Sequence, residues 1–205
     1  MNAVRAILVT VISIAAARPL AAQPPATGAT PQGLGVDRGR PTEESDVTPP
    51  LAFATYFVGD WTFEWDSPDS VLGTGGTFSG KTSYRAVDGG RFFEAVTTGT
   101  APDGPFTIKE TIAYEAANKV VTRWVEDSRG VSYLQSGTVG GDLGGTYEIY
   151  FESAPVAFKG KQVRFKHTLR LLSPGRYRNQ MNLAVDGAPY SSLGNPWVER
   201  PRAAR

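Results

Sequence analysis

Three features of the sequence predict an all-β fold: apolar and polar side chains alternate with a period of two, Gly/Pro/Asp turn signals recur at regular intervals, and no long helical pattern is present. Counting the alternating runs gives a single antiparallel barrel of about nine or ten strands behind a short N-terminal helical turn. Closure is favoured over an open sheet, because two long free edges invite pairing with other chains and no covering helix is available.

The chain opens with Met1-Asn2-Ala3-Val4-Arg5, one positive charge and no acid, followed by an apolar run from Ala6 to Ala17. A membrane-spanning helix needs roughly 20 apolar residues, so this run is too short to cross. Arg18-Pro19 breaks it, and the small residues Ala21 and Ala22 offer a processing site before Gln23. Residues 1–22 therefore read as a secretory signal, and the mature chain as exported, periplasmic or secreted, with no integral membrane segment. Residues 23–50 are rich in Pro, Gly, Thr and charge with few bulky apolar side chains, the composition of a disordered linker. Residues 51–200 form the expected barrel domain and 201–205 a C-terminal tail.

Leu51 to Val58 has apolar residues at helical spacing and ends at Gly59, one or two helical turns with a glycine cap. From Asp60 the period changes to two. Trp61, Phe63 and Trp65 share one face of a strand, as do Phe78, Thr82 and Tyr84 of the next. Phe106, Ile108, Glu110, Ile112 and Tyr114 repeat the scheme, and Tyr147, Ile149 and Phe151 follow it. Asp88-Gly89-Gly90, Pro102-Asp103-Gly104, Ser128-Arg129-Gly130, Gly140 to Gly145, Ser173-Pro174-Gly175 and Asp186-Gly187 supply the turns.

The chain has no cysteine, so disulfides and a lipid-modified N-terminal cysteine are both excluded and stability must come from an ordinary apolar core. Loss of Arg5 and Arg18 with the signal leaves 19 basic against 20 acidic side chains, a net charge of −1. With the signs interspersed, no footprint for nucleic acid or anionic lipid exists.

Phe57-Val58-Gly59-Asp60-Trp61, a helical start running into Gly-x-Trp, resembles the opening of calycin-type, lipocalin-like barrels, in which the Trp plugs one end. Gly89-Gly90-Arg91-Phe92-Phe93-Glu94, then Tyr114-Glu115, then Trp124-Val125-Glu126-Asp127, resemble in order a widespread bacterial family of unknown function; Glu115 stands where that pattern has Asp. The resemblance implies a small barrel with an internal cavity and no established activity. Nitrobindin, a distant relative in kind, binds haem through a late-strand His, which makes His167 a candidate haem ligand. Its Gly-x-Trp-x-Gly-x-Gly opening is altered here to Phe63 and Trp65, two aromatics in place of glycines that admit a flat cofactor, so no cofactor is the expectation.

Candidate site residues follow from parity. Val163, Phe165, His167, Leu169 and Leu171 face inward, away from Arg164, Lys166 and Arg170, and carry the sole histidine with them. Across the Ser173-Pro174-Gly175 turn, Asn179 or Met181 opposes His167. Glu110 shares the apolar face of Ile108 and Ile112, with Thr122 or Trp124 expected beside it, and Tyr84 faces the same interior. The candidate ligand-binding residues are thus His167, Glu110, Asn179, Met181, Trp124 and Tyr84, none of them assigned a catalytic or metal-binding role. Three functions stay open: binding of a small apolar molecule, haem or acid-base chemistry centred on His167, and a structural protein with a packed interior.

Overall fold

Alternation carries directly into the sheet. The structure is a computed structural model and describes residues 49–142 and 145–201. The expected signal, nearly all of the linker and the tail beyond residue 201 lie outside the described residues. A one-turn helix α1 (Phe53–Phe57) precedes twelve strands: β1 (Gly59–Ser67), β2 (Gly76–Val87), β3 (Phe92–Ala101), β4 (Gly104–Glu115), β5 (Val120–Asp127), β6 (Val131–Gly141), β7 (Tyr147–Ser153), β8 (Val156–Phe158), β9 (Lys161–Ser173), β10 (Arg176–Val185), β11 (Ser191–Gly194) and β12 (Trp197–Glu199). Neighbours in sequence pair antiparallel from β1 to β7, β7 pairs with β9, β9 with β10, β10 with β12, and β12 returns to β1. Ten strands thus close a barrel, with β8 and β11 appended to β9 and β10.

One end is plugged from the first residues of the domain. Trp61 is fully buried, its indole N–H donates 2.8 Å to the Phe57 carbonyl, and the Arg200 guanidinium lies 4.4 Å from the Trp61 ring centroid. Phe53 and Phe57 of α1 stack on each other and reach Phe93, Tyr84 and Tyr177. The helix ends at Phe57 with Val58 as its cap, and Gly59, expected as that cap, has φ 120° as the first residue of β1.

Glycines on inward positions make room for large rings from neighbouring strands. A Cβ on Gly80 would lie 2.7 Å from Phe63, on Gly99 2.7 Å from Phe106, on Gly137 2.9 Å from Phe151 and on Gly194 2.5 Å from Trp65. Eight strands give a barrel that side chains just fill, so a ten-stranded one needs large residues, and these rings supply most of the bulk. Two small spaces survive among them.

Candidate functional site

Register decides which side chains reach those spaces. Met181 opposes His167 on β10, where a bulge at Leu172 shifts the register by one residue from that of the Pro174-Gly175 turn, and Phe151 opposes it on β7. Across β4 and β5 the outcome differs from the sequence expectation. The loop Ala116–Lys119 is four residues long, with Lys119 at φ 54°, and Glu115 pairs with Val120. Val125 therefore opposes Glu110, and Val121, Arg123 and Val125 turn inward while Thr122 and Trp124 turn out. Trp124 is 43% exposed and donates to Glu126, so it takes no part in the interior.

The residue that parity hid is Arg123. Only 6% of it is exposed. Its Nη1 donates 2.8 Å to Glu110 Oε1, Nε and Nη2 donate 3.0 and 2.7 Å to Gln135 Oε1, and Nη2 also meets His167 Nδ1. Phe151 lies under the guanidinium plane at 4.2 Å. Gln135 is fixed in turn. Where β7 has ended and β8 has not begun, the Phe165 backbone N–H donates to Ser153 Oγ at 2.9 Å and its carbonyl accepts from Gln135 Nε2 at 3.1 Å.

This arrangement sets the state of His167. Arginine only donates, so Nδ1 must accept and the ring proton sits on Nε2. Burial, and then the charge of Arg123, hold the His167 pKa well below its usual 6.5, leaving the imidazole neutral. Nε2 has no hydrogen-bond partner among the described residues, and His167 lines both interior cavities.

The cavities measure about 100 and 80 Å³ and share a wall that includes Trp65, Ile108, Tyr133, His167 and Met181. The larger is bounded by Tyr84, Glu110, Arg123 and Asn179 as well. Tyr84 and Tyr177 hydroxyls meet at 3.4 Å, Thr82 and Thr97 hydroxyls at 2.8 Å, and burial raises both tyrosine pKa values. The smaller is covered by the β1–β2 loop through Pro68, Ser70 and Leu72, above the Asp127–Arg129 ion pair at 2.6 Å. Among the sequence candidates, His167, Glu110, Asn179, Met181 and Tyr84 are brought together here and Trp124 is not. Arg123, Gln135 and Tyr133 are the additions.

Haem does not fit these residues. Iron takes the lone pair of a neutral imidazole nitrogen, whereas Arg123 occupies the Nδ1 lone pair and leaves a proton on Nε2. Phe63 and Trp65 fill the space over Gly80 and Gly194 that a flat macrocycle needs. Nor do Glu110 and His167 form an acid-base couple, since the guanidinium stands between them. Among the described residues, no three His, Asp or Glu side chains are placed to hold a metal ion, and no helix is long and apolar enough to cross a membrane.

Fold and site together define a closed ten-stranded antiparallel barrel with an apolar interior cavity and one buried polar cluster. The chain belongs to the DUF1579 family, described as a protein of unknown function, whose model matches residues 52–192. No curated protein matches the chain. Among solved structures it is similar to Rv2717c from M. tuberculosis, with 16% identity and a TM-score of 0.61 over 77% of this chain and 100% of that one. At that identity the likeness concerns the fold.

Proposed function

We propose that this protein is an exported, calycin-like binding protein that holds one small, mostly apolar molecule inside the barrel, the polar end at His167, Glu110 and Asn179. Export rests on the charged, apolar and small-residue order of the first 22 residues, with a cleavage site near Ala22. The observation that carries the binding reading is a pair of unused polar groups on the cavity wall: Asn179 Oδ1 is buried with no partner, and His167 Nε2 has none among the described residues. Buried polar atoms are nearly always hydrogen-bonded, so an unpartnered Asn179 Oδ1, on a residue that lines the same cavity as His167, argues for an occupant. Apolar walls with few polar groups are the usual make-up of a small-molecule pocket.

A fragment screen by saturation-transfer NMR on the mature chain tests this reading. Fragments are expected to bind the wild type and Trp124→Ala, and to be lost from Ile108→Phe, which fills the shared wall. Equal binding to the wild type and Ile108→Phe, or no binding to either, removes the basis of the proposal.

A further inference from the structure

The interior cation of a small barrel is an obvious anchor for an anionic ligand, and Arg123 is built so that it cannot act as one. Nε is bonded to Gln135, one Nη1 proton to Glu110, and both Nη2 protons to Gln135 and His167, so four of its five N–H groups are committed. The aromatic face of Phe151 covers the plane. Its charge is balanced by Glu110, which lines the larger cavity and would repel a second carboxylate. In the larger cavity a ligand anion meets no available cation and one fixed anion, and in the smaller the Arg129 charge is paired with Asp127.

The unused groups have the opposite character. His167 offers an N–H from Nε2. Tyr133 is 7% exposed, stacked 4.1 Å from Phe165, and lines both cavities with no hydrogen-bond partner for its hydroxyl among the described residues. Asn179 Oδ1 is a buried acceptor awaiting a donor. His167, Tyr133 and Asn179 all line the larger cavity, and none of them carries a charge. Each cavity is of the order of the ~150 Å³ space that admits benzene.

Resting on the binding reading above, we infer that the ligand is an uncharged molecule of about one ring or a short chain, whose polar end both accepts and donates hydrogen bonds: a primary amide or an alcohol, not a carboxylate. The amide oxygen or hydroxyl takes the protons of His167 and Tyr133, and the ligand N–H or O–H goes to Asn179.

The test uses the full mature chain near neutral pH and four probes of one shape, benzamide, benzyl alcohol, benzoate and toluene, followed by calorimetry and ligand-observed NMR. Benzamide and benzyl alcohol are expected to bind, with benzoate weaker by about tenfold or more, since it buries a charge beside Glu110. Tyr133→Phe keeps the stacked ring and should weaken benzamide by about fivefold, the worth of one neutral hydrogen bond, while leaving toluene unchanged. Benzoate binding as tightly as benzamide overturns the inference. So does toluene binding the wild type as tightly as benzamide, although the cavity reading then survives. If no probe binds, the inference and the proposed function fall together.

Discussion

His167 is the sole histidine of the chain, and an unperturbed imidazole titrates near the middle of the range from about pH 7.5 to pH 5.5. In the unfolded chain it takes up a proton around its ordinary value of 6.5; in the native barrel, burial and the neighbouring Arg123 hold it neutral well below that. The unfolded state therefore binds more protons as the pH falls, and native stability is lost in the same direction. With the native pKa below the window, the populations at its two ends differ by a factor of ten, so the loss is about 1.4 kcal/mol. Urea unfolding at the two pH values measures it directly. His167→Gln, which has no proton to gain, should show almost none of this drop, and the imidazole NMR shifts of the wild type should stay flat across the window. An equal drop in both proteins, or a wild-type imidazole titrating near 6.5, would refute a histidine held neutral by the guanidinium.

Removing the guanidinium has a larger effect. Arg123→Met strands Glu110, Gln135 and His167 Nδ1 without their donor and should cost about 3–5 kcal/mol by denaturant unfolding, part of it recovered by adding Glu110→Gln. At Gly137 a Cβ would stand 2.5 Å from the Tyr150 carbonyl oxygen, so Gly137→Ala should lose about 1–3 kcal/mol. Gly140→Ala meets nothing closer than 3.9 Å and is expected within about 0.5 kcal/mol of the wild type. Haemin added to the mature chain should give no Soret shift that depends on His167; a coordinated spectrum lost in His167→Ala would reverse the assignment of the ring proton.

Strand parity was legible wherever a turn was short and one face was charged. Arg164, Lys166 and Arg170 marked the outside of β9, which left Asn179 or Met181 opposite His167, and the bulge at Leu172 selects Met181. The segment Val120 to Val125 carried no such mark, because apolar residues fall on both of its faces. One residue more or less in the preceding loop decides which face is buried, and the left-handed Lys119 lies within that loop. The rule that charges need water then pointed the wrong way for Arg123, whose partners Glu110 and Gln135 come from the strands on either side. An acidic residue on the apolar face of β4 was the available signal that a buried cation was required. The cover formed by the β1–β2 loop over the smaller cavity left no trace in periodicity at all.

Stability alone does not account for this cluster. A buried ion pair replaced by apolar side chains of similar volume is often neutral or stabilising, since the desolvation of two charges offsets most of their attraction. An aliphatic layer at Glu110, Arg123, Gln135 and His167 would therefore hold the barrel about as well. It would lack one thing the present residues supply. Gln135, pinned by the Phe165 backbone, orients Arg123; Arg123 occupies Nδ1; and the proton of a neutral imidazole is left on Nε2, with no partner on the wall of the cavities. A chain of hydrogen bonds links the sheet backbone to that one N–H, so the geometry that completes the fold is the same geometry that fixes which atom a bound molecule meets.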